Sequence, residues 1–342
     1  MTKNKKIKIH VKNNHWAPGS FPSDAEGEKN FTITKEHLDQ ALKNFPKIKE
    51  KVDIFIDWDE DNFKTSMADS NVLLAWNFST KNLKKIAPNL KWIHLISAGV
   101  EHLLPLDWMF DDLVLTNSSG VHAKNAGEYG LMSILMLQRH MTKIITNQRD
   151  KKFVSLFSNP IKGKTVVLVG TGTLGSSMAK LVAPLGVNII GVNKRGRKVE
   201  GCSKIITIDK IDNVLPDADF LYLAVPGTPE TKNLINRERL NMLKPECGIV
   251  NIGRQSVMDY EALCEKLKKN EIAGAILDVF TPEPIEKNSK LWSTPNLIIT
   301  PHVSSDDHGN YVKLTLDIFV KNLKLFIDNK ELNNRVDKKL GY

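Results

Sequence analysis

Cysteine is scarce. Cys202, Cys247 and Cys264 are the three in 342 residues, and they show neither pair spacing nor a metal-ligand pattern. That excludes a disulfide scaffold and a zinc module and fits a reducing compartment. Long apolar runs are missing too: the longest candidate, LMSILMLQ from Leu131 to Gln138, falls far short of the ~20 residues that span a bilayer. The opening MTKNKKIKIHVKNNHW is basic but has no apolar stretch behind it, so no secretory signal is expected. These features predict a cytoplasmic protein with no membrane partner. Solenoid-length repeats and low-complexity tracts are also lacking.

Acidic residues are the minority sign, 39 against 48 Lys and Arg, for a formal charge of +9. Such a surplus can serve nucleic acid. Here the lysines are dispersed, and no basic helix interleaved with aromatics stands out, so a solvated surface and no nucleic-acid partner are expected. The length exceeds the roughly 250–300 residues at which single cores stop growing, which predicts two domains.

Short apolar runs alternate with helical patterns throughout. KIKIHV, VDIFI, NVLLAW, WIHLI and LVLT read as buried strands of a first block, separated by segments such as KEHLDQALKNF and TKNLKKIAP. TVVLVG, VNIIGV, KIITI, DFLYLAV, GIVNI, AGAILDV and NLIIT form a second. Near-continuous apolar strands between helices imply parallel sheets covered on both faces, hence an α/β fold with two doubly wound domains. One long helix is expected over roughly residues 123–146, rich in Leu and Met; its apolar surface suits either subunit contact or inter-domain packing. The stretch YVKLTLDIFVKNLKLFIDN reads as an amphipathic helix that could return to the first block, which would make that domain discontinuous.

After the strand TVVLVG come Gly170, Gly172 and Gly175, spaced G-x-G-x-x-G before a helix. Gly170 permits the tight turn, Gly172 lets backbone approach a pyrophosphate, and Gly175 lets helix and strand pack closely. The helix start offers N–H groups around Thr173 and Leu174 to the anion. The next strand ends at Asn193, where an NAD site ordinarily has an acidic residue on the ribose, and Lys194, Arg195 and Arg197 follow. A carboxylate repels a 2′-phosphate and this cluster attracts one. NADP(H) is therefore favoured over NAD(H), the alternative being an exposed basic loop beside bound NAD.

Three polar signals follow in order. CGIVNIGRQSVMD places Arg254 just past a strand, AGAILDVFTPEP places Asp278 at a strand end with Glu283 in a proline-bracketed loop, and NLIITPHVSSDD places His302 after another strand. All three converge on the carboxyl edge of one parallel sheet, where ligands of such folds bind.

From about residue 71 to 325 the chain resembles the D-isomer-specific 2-hydroxyacid dehydrogenase family, through these motifs and through WIHLISAGVEHL, NSSGVHAKNAGEYG, LAVPGTPETKNLI and LWSTPNLIITPH. The resemblance implies a Rossmann dinucleotide-binding domain (residues 119–306) inserted in a flavodoxin-like substrate domain (residues 1–118 and 307–342), and a homodimer. It implies that Arg254 holds the substrate carboxylate and polarises the ketone, and that His302 is the general acid in reduction and the base in reverse. Glu283 would orient the imidazole and favour its protonated form. Asp278 would accept from the nicotinamide carboxamide. Ala98 and Gly99 would offer N–H groups to the substrate carboxylate, Val225 and Pro226 would line the adenine pocket, and Ile252 and Gly253 would flank the nicotinamide. The implied activity interconverts a 2-oxo acid and a D-2-hydroxy acid, with reduction of glyoxylate- or hydroxypyruvate-type substrates the expected direction. A non-catalytic dinucleotide-sensing scaffold, as in related corepressors, is the alternative, although a scaffold has no need of Arg254, Glu283 and His302 together. The substrate side chain is expected to be sensed by first-domain loops, AWNFST and the segment Leu103 to Trp108. Two positions depart from the family pattern: Asn193, and Gln255 with Ser256 where a Gly often follows the arginine. No appended regulatory domain is expected after Tyr342, which would set the chain apart from long phosphoglycerate dehydrogenases.

Overall fold

Strands apolar on both faces pair in parallel, and all named strands here do so. The structure is a computed structural model describing residues 6–15, 30–59, 62–305, 307, 309–338 and 341. By contacts the chain divides into two units, Met1–Val121 with Asp307–Tyr342, and His122–Asp306.

The first unit holds β1 (Ile7–Asn13), β2 (Val52–Trp58), β3 (Val72–Ala75), β4 (Trp92–Leu95) and β5 (Val114–Thr116), in the order β2-β1-β3-β4-β5. This is the flavodoxin-like order. Helix α1 (Lys35–Leu42) starts at a Thr34 capping box, which satisfies otherwise orphaned N–H groups. The helix Tyr311–Ile327 belongs to this unit: Phe319 stacks on Trp92 at 5.0 Å between ring centres, and the Tyr311 hydroxyl donates to the Ile96 carbonyl at 3.0 Å.

The second unit holds β6 (Thr165–Val169), β7 (Asn188–Asn193), β8 (Lys204–Thr207), β9 (Phe220–Leu223), β10 (Gly248–Asn251), β11 (Gly274–Leu277) and β12 (Leu297–Ile299). Their order, β12-β11-β10-β9-β6-β7-β8, is the doubly wound dinucleotide-binding arrangement, and it reverses direction between β6 and β9. A crevice forms at such a reversal, beyond the carboxyl ends of the strands.

The single helix expected over 123–146 is two, α2 (Ala123–Gln138) and α3 (Met141–Arg149). His140 between them takes the left-handed conformation, φ +57°, and the Arg139 and His140 N–H groups close the end of α2 on the carbonyls of Leu135 and Leu137. The Gln138 amide and the His140 ring then bond the carbonyls of Asn159 and Phe157, contacts that periodicity does not register. One face of α2 lies very close to α4 (Thr173–Val182): a Cβ at Gly130 would come within 2.5 Å of Met178 Cγ and 2.8 Å of the Tyr222 hydroxyl. Met132 and Leu135, by contrast, are exposed, as are Phe153 and Phe157 beyond α3. Among the described residues no helix is long and apolar enough to cross a membrane.

Candidate active site

The glycine turn sits at the reversal point between β6 and β9. Gly170 has φ +95°, and a Cβ there would lie 2.5 Å from the Ala224 carbonyl oxygen at the end of β9. A Cβ on Gly175 would meet the Gly170 carbonyl oxygen at 2.0 Å, so α4 touches the turn backbone to backbone. At Gly172 the same atom would meet nothing within 4 Å. Two of the glycines are thus needed for packing within the protein and the third faces open space, at the start of a helix whose dipole favours an anion. Gly172 is also the N-cap and has no side chain to bond the first-turn N–H groups, which begin at Thr173 and Leu174. This geometry fits a dinucleotide pyrophosphate.

Asn193, at the end of β7, organises the basic loop after it. Its amide donates to Thr171 Oγ1 and the Arg197 carbonyl, and its oxygen accepts the N–H groups of Arg195 and Arg197 at 3.1 and 3.2 Å. Lys194, Arg195 and Arg197 are exposed, and Lys194 lies 3.6 Å from Glu230. Val225 is half-buried and Pro226 exposed, with the Pro226 carbonyl fixed by Thr231 Oγ1 at 2.6 Å.

Arg254 follows β10 on a turn built by Asn251. The Asn251 oxygen accepts from the Gly253 N–H, and its amide donates to the Arg254 carbonyl and to the Tyr260 hydroxyl on α5 (Tyr260–Lys268). That hydroxyl donates to the Val279 carbonyl at 2.9 Å, linking the ends of β10 and β11. Gly253 must be glycine, because a Cβ would lie 2.4 Å from the Val225 carbonyl oxygen. Ile252 is 4% exposed and packs within the apolar core. Its side chain is part of the core at the end of β10.

Past β11 and β12 the polar groups meet. His302 Nδ1 lies 2.7 Å from Glu283 Oε2, while Glu283 Oε1 accepts the Phe280 N–H at 2.6 Å. Burial would push the Glu283 carboxyl up, but the His302 and Phe280 hydrogen bonds and the charges of His302 and Arg254 hold it below the ordinary carboxylate value. The Glu283 hydrogen bond raises His302 above the ordinary imidazole value; burial and the Arg254 charge oppose that, and the charges of Glu283 and Asp278 add to it. With Nδ1 committed to Glu283, Nε2 is the nitrogen left to exchange a proton. The pair is coupled to the Arg254 loop, since Gln255 Oε1 accepts the Thr281 N–H. The departure from glycine at 255 thereby acquires a structural part.

Asp278, at the end of β11, is tied into the loop that follows β12. It is fully buried, and its oxygens accept from Thr300 Oγ1 at 2.6 Å and from the N–H groups of Val303 and Ser304 at 2.9 and 3.0 Å. These bonds brace the loop around His302, whose φ of +55° is a left-handed conformation costing roughly 1–2 kcal/mol without glycine.

Ala98 and Gly99 lie in the other unit, past β4. Their carbonyls accept from Asn117 Nδ2 and Ser97 Oγ, both at 2.7 Å, which fixes the turn carrying their N–H groups. In the same unit, Asn77, Phe78 and Thr80 join His102–Pro105, Asp107 and Trp108 around a cavity of about 240 Å³. The two loops expected to sense a side chain thus come together. Tyr129, Asn251, Tyr260 and Thr300 were not anticipated. Their one sequence signal is a polar or phenolic group at the end of an apolar strand or on a helix, too common to single out.

Comparison with known proteins gives a consistent result. Residues 131–304 match the model of the D-isomer specific 2-hydroxyacid dehydrogenase, NAD binding domain. A glyoxylate reductase of Thermofilum pendens is 36% identical over 64% of this chain and 67% of its own length. The fold resembles that of a D-isomer specific 2-hydroxyacid dehydrogenase from Xanthobacter autotrophicus in complex with NADPH and MES (TM-score 0.79, 23% identity, 99% and 100% of the two chains). It also resembles that of the NAD-complexed enzyme from Lactobacillus delbrueckii (TM-score 0.73, 20% identity, 97% and 100%).

Proposed function

Because the chain belongs to the D-isomer specific 2-hydroxyacid dehydrogenase family, we propose that it interconverts a 2-oxo acid and its D-2-hydroxy acid, working chiefly as a reductase of glyoxylate- or hydroxypyruvate-type substrates. The observation that carries this reading is the 2.7 Å His302–Glu283 pair lying within reach of the Arg254 charge at the carboxyl edge of the sheet. Arg254 grips the carboxylate and draws electron density from the adjacent ketone. A reduced nicotinamide, held by the Gly170–Gly175 turn and bordered by Gly253, would supply the hydride to C2. His302 Nε2 gives its proton to the ketone oxygen, which forms the O–H bond and leaves the imidazole neutral. Glu283 favours the charged imidazole beforehand. Ala98 and Gly99 assist at the carboxylate, and the cavity behind His102 and Trp108 receives the side chain. Val225 and Pro226 border the adenine and Gly253 the nicotinamide.

The basic turn organised by Asn193 supports NADP(H) as the cofactor. No carboxylate stands at that strand end, and Arg195 and Arg197 project from the turn into solvent. Charge-assisted hydrogen bonds of this kind are worth about tenfold or more in affinity. Initial rates of 2-oxo acid reduction with each cofactor are expected to give kcat/KM about tenfold higher for NADPH, and the double change Asn193→Asp with Arg195→Ala should invert the order. No turnover of glyoxylate, hydroxypyruvate or larger 2-oxo acids with either cofactor would remove the proposed activity.

The exposed apolar residues of the second unit support a homodimer. Phe153 is 103% and Phe157 90% exposed, with Met132 and Leu135 on α2 also at the surface. Side chains of this size are seldom left in water. Light scattering should give twice the chain mass for the native protein and a monomer for Phe153→Ser/Phe157→Ser; a native monomer would exclude the dimer.

A further inference from the structure

A polar chain runs inward from α2 to the loop that carries His302. The Tyr129 hydroxyl lies 2.8 Å from Thr300 Oγ1, and Thr300 Oγ1 donates to Asp278 Oδ1 at 2.6 Å. A threonine hydroxyl has one proton. Since that proton goes to the carboxylate, Tyr129 must be the donor to Thr300, and the direction of the chain is set: Tyr129 to Thr300 to Asp278. Asp278 passes the constraint on through the N–H groups of Val303 and Ser304, and the His302 N–H is itself bonded to the Thr300 carbonyl at 3.0 Å. Residues on both sides of His302 are therefore tied to one buried carboxylate.

We propose that Tyr129 is a positioning residue for His302, acting through Thr300 and Asp278 to hold the imidazole in its left-handed backbone pocket against Glu283. The inference rests on the proposed role of His302 as proton donor. Its starting point is the placement of Tyr129. The helix can bring it to Thr300 because the next residue is Gly130, where a Cβ would lie 2.5 Å from Met178 Cγ. A bulkier residue there would lift α2 and draw the phenol away from Thr300. Burial pushes the Tyr129 phenol up to about 12, so it keeps its proton, and with it the donor, over the working pH range. Asp278 depends on the Thr300 hydroxyl that Tyr129 orients: buried completely, a carboxylate relies on each of its hydrogen bonds. If the chain is cut, the brace on residues 303 and 304 loosens and the His302–Glu283 contact lengthens.

The groups that set the His302 titration are Glu283, Asp278 and Arg254, with Tyr129 reaching them through the chain. Of these, the Glu283 contact is the largest influence and the one most sensitive to ring position. Loosening it lowers the imidazole toward its ordinary value.

The test uses the full-length protein with Tyr129→Phe, Thr300→Val, Thr300→Ser and the double variant Tyr129→Phe/Thr300→Val. Tyr129→Phe is expected to lower kcat about tenfold, because small misplacements of a reacting group are costly, with KM for the 2-oxo acid and cofactor affinity held within about twofold. In parallel, the NMR titration of the His302 ring should move to lower pH. Thr300→Ser should restore both readouts where Thr300→Val does not. Since the two residues act in series, the double variant should fall no further than Thr300→Val alone. A Tyr129→Phe protein with native kcat and a native His302 titration overturns the proposal, as does a Thr300→Ser protein as impaired as Thr300→Val. The titration needs no turnover. If it moves as expected while the native protein reduces no 2-oxo acid, the positioning role stands and only the assigned reaction fails.

Discussion

Asparagine in place of His302 is expected to cut kcat for 2-oxo acid reduction by about 10²–10⁴-fold, the usual contribution of a positioned general acid, with little change in KM. The reason lies in where the ring sits. Nδ1 faces Glu283 at 2.7 Å, so Nε2 alone faces the reaction, and an amide cannot take up and release a proton there. Glu283→Gln should produce a milder loss with a distinct signature. Glu283 raises His302 above the ordinary imidazole value, and reduction needs the charged ring. Activity therefore persists at low pH and falls as pH climbs through the raised value. With glutamine the supporting charge is lost, and the fall begins at lower pH. In the oxidative direction the neutral ring is required, so the sign inverts: activity rises with pH, and the variant's rise comes earlier. A pH series of kcat/KM in both directions reads this directly. A profile that Glu283→Gln leaves in place would separate Glu283 from the proton transfer.

Much of this arrangement was legible in the chain because its signals are local. Apolar runs such as TVVLVG and GIVNI, short and bounded by turn residues, read as strands buried on both faces, and Gly170 and Gly175 sit where a Cβ would strike backbone. The catalytic candidates were legible for a related reason: Arg254, Glu283 and His302 each follow a strand, and parallel topology delivers strand ends to one edge. What escaped reading depends on contacts distant in sequence. The break at His140 follows from side chains reaching Asn159 and Phe157, and a Leu- and Met-rich periodicity runs straight through it. The resemblance implies a nicotinamide contact for Asp278; that Thr300, Val303 and Ser304 also bond it is a property of the folded loop. Tyr129 lies 171 residues from Thr300, a separation no local pattern spans. Gln255 read as a departure from the family pattern, and its bond to Thr281 emerges only once the two loops face each other.

Arg254→Ala is expected to lower kcat/KM for 2-oxo acids by about 10²–10³-fold, the loss typical of removing one partner from a hydrogen-bonded charge pair. Arg254→Lys should recover only part of it. The lysine retains the charge but not the planar fork that meets a carboxylate with two parallel bonds, and the difference should fall mainly on KM. The site is built for orientation as much as for charge. Asn251 fixes the turn on both sides of the residue through the Gly253 N–H and the Arg254 carbonyl. The Arg254 side chain also packs beside Gly227, where an added Cβ would lie 3.3 Å from Cγ. A flexible ammonium on that stem would reach the carboxylate without holding the ketone in line with the His302 proton. Because Arg254 lies outside the apolar core, melting temperature should barely move, which separates loss of binding from loss of fold. A 2-oxo amide, which carries no carboxylate, provides the internal control: its slow turnover should respond far less to either change. An equal loss with acid and amide would mean that Arg254 supports the loop rather than the substrate.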